Sequence, residues 1–276
     1  MSLNRIIESA EKQYKQILEE YFVSVYNERS LPSHGIDHHR RVWNNSKELL
    51  KIIPEKNKKQ LSILTTELII ASYLHDIGMS VDPGIKHGKY SKDLCARFLA
   101  MNNLRVNDYF NLLEAIENHD NKEYIVNATR NDLLTVLSVS DDLDAFGFIG
   151  IYRYIEIYLI RETDLINLGF LIKANACKRF VNFEKTAGNT KKFVEKQNQR
   201  YLILDNFFTK YNEQLISYQF GTLNPLGYCG VIELFLNMIN NKMELKELFT
   251  YSEKYSADPV INWFFSELKT EIKSNN

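Results

Sequence analysis

At 276 residues, 45% of them hydrophobic, the chain is long enough for one large domain or two modest ones and can bury a sizeable core. Its 34 basic and 35 acidic residues leave a formal net charge of -1. That excludes a general binder of nucleic-acid duplexes or membrane surfaces, which needs a basic excess or a clustered basic patch.

In chain order the apolar spacing predicts helices throughout. Residues 3 to 28 place Ile6, Ala10, Tyr14, Ile17, Leu18, Tyr21, Phe22 and Val25 at three- and four-residue intervals. Ser30 to Gly35 breaks that stripe, and Asp37 is the expected N-cap of a second helix running to Pro54. A third helix spans about 57 to 76. After the turn residues Asp82-Pro83-Gly84, helices are expected over 87 to 101, 106 to 119 and 131 to 146. Further helical patterns cover 151 to 161, 165 to 183, 191 to 218, 226 to 240, 245 to 254 and 259 to 272, with Trp263, Phe264 and Phe265 as core. No sustained period-two alternation asks for a sheet. The expected fold is therefore all-α, with residues 1 to 185 as a metal-binding helical domain and 186 to 276 as additional helices packed on it rather than an independent domain.

Cys95, Cys177 and Cys229 are odd in number and form no CxxC pair, so neither a disulfide framework nor a thiolate zinc site is indicated. No apolar run approaches bilayer length, and the start of the chain does not read as a signal peptide. The expectation is a cytoplasmic protein with no membrane partner.

All six histidines, His34, His38, His39, His75, His87 and His119, fall in the first half. His75 and Asp76 close the apolar run Leu68 to Leu74. Adjacent helical side chains diverge by about 100°, yet at a helix end both can converge on one cation, and imidazole with carboxylate is ordinary coordination chemistry. The competing explanation is a histidine interacting with the helix dipole beside a capping aspartate. Farther on, Asp141, Asp142 and Asp144 interrupt an apolar helix, which is costly without a cation. Asp142 fits a solvated edge. Asp141 keeps to the stripe of Leu134, Leu137 and Ser138. His38, in Asp37-His38-His39-Arg40-Arg41-Val42 at an expected helix start, joins His75, Asp76 and Asp141 as a candidate ligand.

In that order, His38 with Arg41-Val42 following, then His75-Asp76-Ile77-Gly78, then Ser140-Asp141-Asp142-Leu143-Asp144-Ala145-Phe146-Gly147, the chain resembles the HD-domain metal-dependent phosphohydrolase superfamily over about residues 20 to 160. The continuation to Gly150-Ile151 looks like its bacterial branch containing nucleotide pyrophosphohydrolases. The resemblance implies an α-helical bundle around one divalent ion, Mn, Mg, Fe, Ni or Zn. His87 and His119 fall where binuclear members carry extra ligands, so they are expected either at a second ion or on substrate phosphate. His34 and His39 are expected in a loop and at the surface.

The implied activity is hydrolysis of a phosphoester or phosphoanhydride bond in a small phosphorylated substrate, such as a nucleotide. Asp76, His87, His119 and Asp144 are the catalytic candidates, and Arg41, Lys89 and Arg153 the phosphate-binding candidates. Met79 departs from the resemblance, standing where many members have a lysine or a working acid, a job left to Asp82 or Asp144. It motivates the alternative of a non-catalytic nucleotide- or metal-binding regulatory protein on the same fold. A homo-oligomer is compatible with either.

Overall fold

The computed structural model describes residues 2–26, 31–52, 57–121, 132–187, 190–221 and 224–275. Those residues contain helices and no strand, so the fold is all-α. The expected helix ends at 28 and Pro54, and the expected opening at Asn131, lie outside the described residues.

The chain forms two compact units, Met1–Leu143 and Asp144–Asn276. The division falls at the end of a helix, and the helices on either side of the 184 to 190 stretch pack against each other.

In the first unit, α1 (Leu3–Tyr26), α2 (Ile36–Leu50), α4 (His87–Met101) and α5 (Phe110–Asn118) surround α3 (Lys58–Leu74), and α6 (Asp132–Asp144) belongs to it as far as Leu143. Every residue of α3 from Leu68 to Leu74 is buried. Such an all-round apolar helix has to be enclosed by others, which brings its C-terminal end, and the His-Asp pair after it, into the middle of the unit. Glu19 on α1 fixes α2 and α3 together, accepting both Arg40 Nε and Nη2 (2.9 and 2.8 Å) and the Tyr73 hydroxyl (3.1 Å).

Two expectations about α2 change. Its N-cap position is Gly35, so Asp37 lies inside the first turn, where it pairs with Arg40 at 3.0 Å. A carboxylate there still favours the helix dipole. His39, expected at the surface, is fully buried against Phe22, with ring centroids 4.5 Å apart. His34 is buried too, its Nδ1 2.7 Å from Ser33 Oγ. Packing between α1 and α3 covers two faces of α2, and local periodicity shows only one.

A short 3₁₀ turn, Ile77–Ser80, carries the chain from Asp76 towards α4. At Gly78 an added Cβ would lie 2.2 Å from the His87 carbonyl oxygen and 2.4 Å from Ser91 N. Only glycine permits that approach, which sets the start of α4 against the His-Asp turn.

The second unit contains α7 (Gly147–Ile160), α8 (Leu165–Ala187), α9 (Lys191–Leu215), α10 (Gly227–Asn240), α11 (Leu245–Ser252) and α12 (Pro259–Asn275). Phe207, Phe208, Phe235 and Phe264 centre its core, and Phe265 is buried with them, whereas Trp263 is half-buried. α7 opens four residues earlier than its spacing predicts. Glu271 on α12 accepts the Phe148 and Ile149 backbone N–H groups at 2.6 and 3.1 Å, supplying from far along the chain the acceptor that helix starts need. Among the described residues no helix is long and apolar enough to cross a membrane.

Gly78→Ala is expected to cost about 1–3 kcal/mol, the range for overpacking, or more, since backbone atoms block the methyl group. Equilibrium denaturation of the variant measures it.

Candidate metal centre

His38 stands in the first turn of α2, His75 and Asp76 directly after α3, and Asp141 in the last turn of α6; all four are buried. His38 Nε2 and His75 Nε2 are 3.2 Å apart. Asp76 Oδ2 lies 3.5 Å from each of them, and Asp141 Oδ1 lies 3.7 and 3.8 Å away. One ligand atom from each residue falls within 4.8 Å of all the others. Metal–ligand bonds of about 2.1 Å place neighbouring ligand atoms roughly 3.0 to 3.4 Å apart, so slight contraction would close this set on an ion.

The histidine tautomers strengthen the fit. His75 Nδ1 is 3.1 Å from the Ser72 carbonyl oxygen. A carbonyl only accepts, so the Nδ1 proton is committed there, and neutral His75 turns a bare Nε2 lone pair towards two carboxylates. A lone pair facing carboxylates favours a cation between them. A hydrogen bond from the other ring nitrogen is also how metal-binding histidines are usually oriented.

The same device recurs at His87 and His119. Their Nδ1 atoms lie 2.7 Å from the Gly84 and 2.8 Å from the Ile116 carbonyl oxygens. Their Nε2 atoms approach Asp76 Oδ1 at 3.4 and 3.0 Å. Asp76, His87 and His119 thus form a second group with ligand atoms inside 4.8 Å. The Asp76 carboxylate faces one group with Oδ2 and the other with Oδ1.

Burial opposes charge on Asp76, but its electrostatic interaction with the His75 ring and hydrogen bonds from His119 and His38 hold it well below its ordinary value. Burial likewise opposes charge on His119, yet the bond to Asp76 and that carboxylate's charge raise it to about 9. Burial pushes His75 below the usual imidazole value, Asp76 and Asp141 opposing. Burial and the neighbouring His38 and His75 rings push His39 well below it. At neutral pH His119 is therefore charged and His75 is not.

Asp144 and Arg153 belong to the second unit, where they are buried and pair at 3.2 Å. Arg41 is buried on α2 one turn beyond His38, and Lys89 is exposed. Asp82 accepts the Gly84 N–H at 2.8 Å, holding the turn before His87. Met79 is buried. Asp142, expected at a solvated edge, is fully buried, because every residue of α6 from Ser138 to Asp144 is enclosed. Sequence reasoning missed His39, whose ring centroid lies 5.0 and 5.2 Å from those of His38 and His75; adjacency to His38 was its one signal.

The model of the HD-CE family matches residues 18–176, more than half of the chain and all six residues of the two groups. The chain belongs to the HD-CE family. No curated protein and no solved structure matches it. Within this HD-CE chain, residues 18–176 contain an HD-type domain with a buried histidine–aspartate cluster able to bind a metal.

A folded-state value above that of a free imidazole means that the contribution of His119 to metal-free stability is full below about pH 6.5. It is lost as the pH rises through about 9. An ion bound by Asp76, His87 and His119 must displace that proton. Thermal melts from neutral pH to beyond that value are expected to show the metal-free midpoint falling while the gain on adding manganese grows. A gain independent of pH would mean that no ion displaces the His119 proton.

Proposed function

We propose that this protein is a metal-dependent phosphohydrolase acting on a small phosphorylated substrate, a nucleotide or related phosphate ester. The observation that carries the proposal is the convergence of His38, His75, Asp76 and Asp141 on one point, with the His75 tautomer fixed so that a lone pair faces two carboxylates. Two imidazoles and two carboxylates suit Mn, Mg, Fe, Ni or Zn and leave coordination positions open. When bound, such an ion supplies Lewis acidity towards a phosphoryl oxygen and activates water for deprotonation.

The chain's own groups do the rest. Asp76 keeps Oδ1 clear of the first group and can accept the proton of the attacking water. His119, charged at neutral pH and 3.0 Å from Asp76 Oδ1, can pass a proton to the leaving oxygen as the phosphorus–oxygen bond breaks. His87 holds the same carboxylate oxygen from 3.4 Å. Arg41 and Lys89 are the cations of this unit proposed to neutralise substrate phosphate. Asp144 and Arg153 neutralise each other in the second unit and are proposed to act through that pair rather than on substrate.

Met79 supports a second reading, binding without turnover, since a buried thioether neither gives nor takes a proton. The test is metal analysis followed by phosphate release from a panel of nucleotides and phosphomonoesters. Phosphate release at saturating metal is expected; metal and nucleotide binding without release would favour the second reading.

Asp76→Asn keeps the shape of the side chain but removes its charge. Even changes one contact away from a metal typically cost 10- to 100-fold in affinity or activity, so at least that loss is expected in titrations and in phosphate release. Full activity in Asp76→Asn would end the enzymatic reading.

A further inference from the structure

Behind the candidate ligands, three buried hydroxyls join the helices that carry them. Ser46 on α2, Ser72 on α3 and Ser140 on α6 are all fully buried. Ser46 Oγ donates to Ser140 Oγ at 2.8 Å and lies 3.2 Å from Ser72 Oγ. With its single proton committed to Ser140, Ser46 accepts from Ser72, so the bonds run from α3 through α2 to α6. Asn45 Nδ2 adds a bond to the Ser140 carbonyl oxygen at 3.0 Å.

Each end of this chain touches a ligand candidate. Ser72 gives its carbonyl oxygen to His75 Nδ1 at 3.1 Å and to His39 Nδ1 at 3.2 Å. Ser140 immediately precedes Asp141. Ser46 lies two turns along α2 from His38. An unbroken path therefore leads from His75 to Asp141 through the helix that bears His38. Three alanines in these places would bury no polar group, whereas hydroxyls require each other at fixed geometry.

We infer that Ser46 is a positioning residue: its hydroxyl sets the register of α2 against α3 and α6 so that His38, His75 and Asp141 meet at one point. The inference rests on the metal-binding reading above and deepens it. An apolar contact tolerates sliding by a fraction of an ångström, but hydroxyls at 2.8 and 3.2 Å do not, and metal ligands need comparable accuracy.

The experiment measures manganese affinity by calorimetry, and metal-free thermal stability, for wild type, Ser46→Ala and the triple variant Ser46→Ala/Ser72→Ala/Ser140→Ala. Ser46→Ala strands the Ser72 hydroxyl, so some stability is lost with it. The triple variant strands none of the three and should recover stability. A packing role alone would restore affinity together with stability. A positioning role predicts affinity about 10- to 100-fold below wild type in both variants, whatever the thermal midpoint does. If Ser46→Ala does not fold, Ser140→Ala breaks the same chain and is read the same way. Unchanged affinity in the single variant, or restored affinity in the triple, overturns the inference. Wild type that binds no manganese removes the metal centre itself, and this inference with it.

Discussion

Asp76 carries its carboxylate into the middle of the first unit, where His38, His75, His87 and His119 surround it. Taking such a charge out of water costs several kcal/mol unless opposite charge and hydrogen bonds replace the solvent. Here the imidazoles do so, and Asp76 stays ionised far below its ordinary range. The compensation needs a positive charge in the cluster, and at neutral pH the proton on His119 supplies one. A divalent ion meets the same need with two charges, and it can bond Asp141 and His75 Nε2 as well as Asp76.

This requirement explains why the surrounding structure is so closely tied. Histidines at three helix boundaries each return Nδ1 to a carbonyl three residues earlier, at Ser72, Gly84 and Ile116. All three then present Nε2 to Asp76, their rings oriented by those bonds. Gly78 allows α4 to approach closely enough for His87 to reach the carboxylate. An enclosed helix end, rather than a surface loop, holds the centre, which suits chemistry that depends on excluding water and on preorganised charge.

Much of this was legible in the sequence, for identifiable reasons. Helices with one buried face, such as α1 with Ile6, Ala10, Tyr14, Leu18 and Phe22 inward, announce themselves by spacing. The His-Asp pair stood out because it ended an apolar run, and Asp141 because it kept to an apolar stripe. What stayed hidden depended on neighbours distant in the chain. Phe22 buries His39 from another helix, enclosure of α6 buries Asp142, and the start of α7 depends on Glu271, more than a hundred residues later. Asp144 and Arg153 looked like separate candidates, yet they form one ion pair. Serine says little in a sequence, so the chain through Ser46, Ser72 and Ser140 emerged only when three helices were packed together.

The most direct measurement is a crystal structure of the manganese-loaded protein with anomalous scattering recorded to locate the ion. The account predicts an anomalous peak bonded to His38 Nε2, His75 Nε2, Asp76 Oδ2 and Asp141 Oδ1, at about 2.0 to 2.2 Å. The absence of a peak at that position at saturating manganese would contradict it.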